Sequence, residues 1–249
     1  MEASITLKKV GKLIGDKTIL ASLSFGVERG SLVAIIGDNE AGKSMLLKVI
    51  SGIEYQEFGQ VFINGLDAQK RRQEVMSSIG FVSHELDLDP WLTLEQNIQF
   101  MGMLYGIDTE TINTRMVQLA RELHIIPFLK RMVEDISPGI VKKGMVIRAM
   151  IHDPDILILD EPTDGLDPNQ KHLVRKLITE MSSHKAIIIS THILEEVDAV
   201  CTRAMIISNG KMIIDKSPKD LLKEGKQHNA TLDDVFRNLT VESDVSNNA

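Results

Sequence analysis

The run LVAII (32–36), the octapeptide GDNEAGKS (37–44) and the apolar stretch SMLLKVI (44–50) constrain this chain more than any other feature. The octapeptide has the form G-x-x-x-x-G-K-[ST]. Its place after a β-branched run and before a helix-forming stretch is the setting that form requires. It fixes a strand, a glycine-bearing loop and a helix whose N-terminus faces the loop. Such a loop holds a chain of phosphates. Backbone N–H groups from Gly37 through Asp38, Asn39, Glu40, Ala41 and Gly42 to Lys43, and on into the helix at Ser44 and Met45, converge on the anion. Lys43 is placed to reach the β- and γ-phosphate oxygens, and the Ser44 hydroxyl to take a position on Mg²⁺.

Two further runs, ILIL (156–159) and AIIIS (186–190), are rich in β-branched residues and apolar at nearly every position. Such runs read as parallel strands buried on both faces. With helical stretches between them they predict an α/β fold around a mainly parallel sheet. Asp160 and Glu161 follow the first run. The strand end places Asp160 near the metal and Glu161 where a general base polarises an attacking water. His192 follows the second run, at a place suited to sensing a γ-phosphate.

Elsewhere the pattern changes. SITLKKVGKL (4–13) and FGQVFING (58–65) partly alternate, and Asn64-Gly65 is a turn pair, which predicts a small antiparallel β layer. AMIISNGKMIID (204–215) predicts a second hairpin turning at Asn209-Gly210. From about 90 to 135 the chain reads as helical. Thr93 and Gln96 have capping-box spacing, and Ile112, Met116, Leu119, Ala120 and Leu123 recur at helical intervals. This block, about 88–150, interrupts the α/β alternation and is expected to be a helical subdomain inserted in a single domain of residues 1–240. Residues 241–249 form a polar tail. Helix starts are expected at Ser217–Asp220, with Pro218 in the first helical position, and at Thr231–Asp234.

The formal net charge of −7 argues against nucleic acid as a partner. The single cysteine, Cys201, cannot form an internal disulfide, which suits a reducing cytoplasm. MEASITLKK lacks the apolar core of a signal peptide, and no apolar run approaches the ~20 residues needed to cross a bilayer. If the chain serves a membrane, it is expected to do so peripherally.

With these elements in this order, the chain resembles the ATP-binding subunit of an ABC transporter over nearly its whole length. GDNEAGKS matches the Walker A loop, LILDEP (157–162) the Walker B strand with Glu161, DGLDP (164–168) the D-loop and STHILEEVDAVC (190–201) the H-loop. The H-loop stretch and TLDDVFRNLT (231–240) look most like ATPases of ABC-2-type exporters, including the gliding-motility-like group. The resemblance implies a P-loop NTPase (RecA-like) core with a mainly parallel sheet, an antiparallel β layer and an inserted helical subdomain. It implies ATP and Mg²⁺, with Lys43, Glu161 and His192 in catalysis and Ser44, Asp160 and His84 on the metal side. It also implies a dimer in which each ATP lies between one chain's Walker A loop and the other chain's signature loop. Gly165, Leu166 and Asp167 form the D-loop, and Ser137, Pro138 and Gly139 the signature equivalent.

Four positions depart from the family pattern. Ile14, in KLIG, aligns with the aromatic that stacks on adenine, so an aliphatic contact is expected there. Glu40 takes a place usually held by glycine or another small residue, and is expected to face solvent because a carboxylate repels a triphosphate. His84, in FVSHE, replaces the Q-loop glutamine, and its nitrogen suits Mg²⁺ poorly. Pro138, in ISPGI (136–140), stands in the glycine-rich signature. It sits where a helix tolerates proline, but removes an N–H that the family directs at the opposing γ-phosphate. Ser137 is expected to cap that helix, and the loop to be weakened.

The resemblance therefore implies an ATP-hydrolysing subunit, its weakened signature loop leaving room for slow turnover, that powers a separate integral-membrane permease from the cytoplasmic face of the inner membrane, in the direction of export. Its second partner is another ATP-binding subunit, a homodimer being favoured over a heterodimer. The alternatives are a soluble ABC-type ATPase without a permease and a nucleotide-dependent structural subunit with little hydrolysis.

Overall fold

The computed structural model describes residues 3–223 and 231–236, so the expected polar tail at 241–249 lies outside the described residues. Strands β1 (Ile5–Ile14) and β2 (Lys17–Val27) pair antiparallel, and β3 (Ser31–Ile36) leads through the 37–42 loop into α1 (Lys43–Ile50). β4 (Phe58–Ile63) and β5 (Leu66–Asp67) return to the first pair and complete a four-stranded antiparallel layer of order β2-β1-β4-β5. Its β4–β5 turn is the expected Asn64-Gly65, with φ of 48° and 78°. Positive φ at both centres is what the two-residue type I′ turn demands.

After α2 (Arg72–Ser77) and β6 (Ile79–Val82) comes the helical block of α3 (Leu94–Leu104), α4 (Thr109–Glu122) and α5 (Pro138–Met150). α3 starts on the predicted capping box: the Thr93 hydroxyl accepts from the Gln96 N–H, and the Gln96 side chain accepts from the Thr93 N–H. α4 buries Ile112, Met116, Leu119 and Ala120 on one face. α5 is buried nearly all round, its two lysines included. Those lysines stay because their ammonium groups reach backbone carbonyls, Lys142 that of His84 (3.0 Å) and Lys143 that of Leu123 (3.0 Å). Gly144 lets α3 cross closely, since a Cβ there would lie 2.3 Å from Leu94 Cδ1.

The chain then runs through β7 (Ile156–Asp160), α6 (Pro168–Ser182), β8 (Ala186–Thr191), α7 (Leu194–Val200), β9 (Arg203–Ser208), β10 (Lys211–Lys216) and α8 (Pro218–Lys223). Residues 232–236 are again helical, behind a Thr231–Asp234 cap, and Ser217 caps α8 as expected. The main sheet has six strands in the order β10-β9-β3-β8-β7-β6. All its pairings are parallel except the β9–β10 hairpin, which turns at Asn209-Gly210.

The continuous apolar runs are explained by two cores, one on each face of this sheet. Leu32, Ala34, Leu157, Leu159, Ile187 and Ile189 pack with the helices. Val33, Ile35, Ile156, Ile158 and Ile188 pack with α1 and the antiparallel layer. Each such fully buried Val, Leu or Ile side chain contributes about 1.5–3 kcal/mol. Strand order has the consequence that matters for function. β8 lies between β3 and β7, with Ile36 opposite Thr191 and Asp160 opposite Ser190, so three loop-bearing strand ends share one edge.

Candidate functional site

An open cleft of about 1140 Å³ lies over that edge. The loop after β3 forms its floor, where Gly37, Asp38, Asn39, Glu40, Gly42, Lys43, Ser44 and Met45 line it. Ala41 does not. It is buried, and its carbonyl accepts from the Gly210 N–H at 3.1 Å, tying the loop to the β9–β10 turn. Lys43 is buried and its ammonium donates to the carbonyls of Gly37 (2.7 Å) and Asp38 (2.9 Å). Burial lowers its pKa, and the charges of Glu161, Asp160 and Asp38 work against that shift.

Glu40 faces outward as expected, with a side chain 86% exposed and 4.0 Å from Lys17 Nζ. Its backbone explains why glycine is usual at this position: φ is 70°, the left-handed region. For a residue with a Cβ this costs about 1–2 kcal/mol. Gly42, at φ 100°, caps α1, and a Cβ there would meet the Ile19 carbonyl at 2.8 Å.

Asp160 and Glu161 occupy the end of β7 and the residue beyond it. Asp160 is buried, and its Oδ1 accepts from the hydroxyl of Ser190 on β8. The same Ser190 oxygen accepts from the Glu161 N–H at 2.9 Å. Glu161 has φ 48°, a strained conformation that the neighbouring strand holds in place. Its carboxylate faces the cleft and meets both histidines: Oε2 is 3.2 Å from His192 Nδ1 and 3.7 Å from His84 Nδ1. His84 is presented from the loop after β6, where the ammonium of Lys142 holds its carbonyl. Burial lowers the Lys142 pKa against the opposing charges of Asp164, Asp160 and Glu161.

A buried carboxylate that sequence reading did not single out braces these loops. Glu196 of α7 accepts from Thr163 Oγ1 (2.7 Å), Arg175 Nε (3.2 Å) and Thr191 Oγ1 (3.3 Å). Thr163 follows Glu161 by two residues and Thr191 precedes His192, so one acid fixes both loops. In the sequence it is one of three acids in the ILEEVDAV stretch after His192, with nothing local to set it apart. Ser190 was missed for the same reason, a hydroxyl at the end of an apolar strand.

The D-loop triplet does not line the cleft. Gly165 takes φ 72°, Leu166 joins the core, and Asp167 caps α6 by accepting from the Gln170 N–H (2.9 Å). Asp164, one residue earlier, lines the cleft in their place. Ile14 ends β1 beside the hairpin turn at Gly15 and is 56% exposed, while Ile19 on β2 lines the cleft. Asp233 and Phe236 also line it, brought there by the 232–236 helix.

Ser137, Pro138 and Gly139 stand apart from this cleft. Pro138 is the first residue of α5, as predicted, and Ser137 is at its N-cap. The expected side-chain cap is not made: the Ser137 hydroxyl has no bond to the helix, and its carbonyl accepts from Val141 N–H instead. The first-turn donors of α5 therefore end at an exposed surface away from the chain's own phosphate loop.

A family profile described as "ABC transporter" matches residues 20–164. The ABC transporter ATP-binding protein NatA of Bacillus subtilis is 35% identical over 208 residues, covering 83% of this chain and 82% of that protein. The Nod factor export ATP-binding protein I of Cupriavidus pinatubonensis is 32% identical over 223 residues, covering 89% of this chain and 69% of its own length. Among solved structures, an ATP-binding subunit of an ABC transporter superposes with a TM-score of 0.88 at 28% identity, over 95% of this chain and 99% of that one.

Proposed function

The chain belongs to the ABC transporter family and is an ATP-binding, ATP-hydrolysing subunit of it; from that premise we propose how its residues divide the work and what it works with. The observation that carries the proposal is the convergence of Lys43, Glu161 and His192 on one cleft, with Asp160 directly behind. The phosphate chain lies along the 37–44 loop. Lys43 gives up its own-loop carbonyls for the β- and γ-phosphates, and the N-terminus of α1 adds its dipole. Glu161 orients and deprotonates the attacking water. His192, in contact with the same carboxylate, fixes that group and senses the γ-phosphate.

The donor set suits Mg²⁺ at Ser44, which lines the cleft, with the buried Asp160 behind it, because both offer hard oxygen ligands, and His84 does not suit it. The metal would there neutralise developing charge on the phosphate oxygens.

The signature equivalent is exposed and away from the chain's own cleft, which suits action across an interface. We therefore infer that a second ATP-binding subunit, favoured to be an identical one, completes each site. Among the described residues no helix is long and apolar enough to cross a membrane. The chain is thus proposed to work peripherally at the cytoplasmic face of the membrane against a separate permease, in the direction of export that the Nod factor relative's name suggests. The permease docks on the helical block, where Trp91 (71% exposed), Phe100 and Leu104 face outward.

The test is Lys43→Ala in the assembled transporter, which removes the phosphate contact and abolishes turnover. Unchanged ATP affinity and ATPase activity would overturn the site. Cysteines placed at residues 85–105 are expected to crosslink to a membrane partner, and their failure to do so would remove that docking surface.

A further inference from the structure

We propose that His84, Glu161 and Asp164 form a binding site for a divalent transition metal of the Zn²⁺ class, separate in chemistry from the oxygen-lined Mg²⁺ position. One imidazole nitrogen and one oxygen from each carboxylate lie within 4.8 Å of one another in this chain. His84 Nδ1 and Glu161 Oε2 are 3.7 Å apart, and the carboxylate is 14% exposed. Tetrahedral Zn²⁺ with bonds of about 2.0–2.1 Å needs donors about 3.3 Å apart. Small side-chain rotations by the exposed His84 and Asp164 close that difference.

The ligand types decide which cation enters. A glutamine at position 84 would add another oxygen, leaving a set that prefers Mg²⁺. Histidine adds a borderline nitrogen donor, which favours Zn²⁺, Co²⁺ or Ni²⁺. The backbone around it is held, because Lys142 donates to the carbonyls of both Ser83 (3.4 Å) and His84 (3.0 Å). That ammonium and Lys43 oppose a cation, but Glu161, Asp160 and Asp164 face the same space. Three carboxylates against two ammonium groups leave the locality negative. His192 touches the same Glu161 oxygen and is the competing partner that a metal displaces. Occupancy engages Glu161, so the metal-bound form holds the water-activating carboxylate away from its task. That consequence rests on the role proposed for Glu161, whereas the site rests on its three donors alone.

The experiment is a Co²⁺ titration of the nucleotide-free full chain, followed by ligand-field absorption and by calorimetry. The expected result is one saturable site per chain that survives a large excess of Mg²⁺. His84→Gln and Asp164→Asn are each expected to weaken it by about tenfold or more, while the exposed His172→Gln leaves it unchanged. Circular dichroism identifies a variant that has failed to fold, and the second variant then carries the comparison. Co²⁺ binding equally tight in a folded His84→Gln, or displaced by equimolar Mg²⁺, would overturn the site and leave the ATPase reading intact.

Discussion

The cleft at the strand ends and the N-terminus of α5, proposed above as the two halves of a nucleotide site, are built very differently. At the cleft, each functional residue is braced from behind. Lys43 is buried on loop carbonyls, Glu161 is fixed through Ser190, and the loops on either side of Glu161 and His192 share the buried Glu196. At α5, Pro138 has no N–H to offer and Ser137 makes no side-chain cap. A strand end inherits rigidity from the sheet that pairs it. A helix end must be supplied with partners one by one, and on the proposed function those of α5 come from another molecule. Departures from the family pattern are therefore more damaging at the signature equivalent than at the phosphate loop.

The largest effect that tests this contrast is on chemistry at the braced half. Glu161→Gln is expected to lower ATP turnover by about a hundredfold or more, the range for a general base, while nucleotide binding persists and the closed dimer accumulates. Turnover at the wild-type rate would show that Glu161 is not the base.

Next comes the brace itself. Glu196→Ala strands Arg175 and two threonine hydroxyls around a buried hole, at a cost of about 3 kcal/mol. Thermal unfolding is expected to fall by about 10 °C on the usual scaling for a chain of this size, and ATPase activity to fall with it. A variant of unchanged melting temperature and activity would mean that the cleft does not owe its stiffness to this acid.

Pro138→Gly sharpens the other side of the comparison. In a homodimer it restores a donor at both sites, and recovering about 1 kcal/mol of transition-state hydrogen bonding raises turnover about fivefold. In a heterodimer whose other chain carries an intact signature, total activity changes little. A fall in a demonstrated homodimer would mark the proline as an adaptation.

The smallest effect concerns the one strained position on the braced half that faces solvent. Glu40→Gly relieves the left-handed backbone at φ 70°, offset in part by the greater unfolded-state freedom of glycine. A gain of about 0.5–1 kcal/mol in a urea unfolding curve is expected, and a loss would show that Glu40 contributes more through its contact with Lys17 than it costs.

Much of this molecule was legible because the relevant physics is local. The 37–44 octapeptide, the two Asn-Gly hairpin turns, the Thr93–Gln96 capping box and the doubly apolar strands each depend on neighbours a few residues away, and each is found where its pattern predicts. The order of residues also specified the α/β class and the acids and histidine at the strand ends. What required tertiary structure was adjacency. That β8 inserts between β3 and β7 decides that His192 meets Glu161 and that Ser190 bridges to Asp160. The same long-range packing brought Ile19 and Phe236 to the cleft wall, and set Glu196 among threonines from two separate loops. A periodic pattern records which face of a segment is apolar. It does not record which distant segment will cover that face, because that choice is made by the whole chain's burial at once.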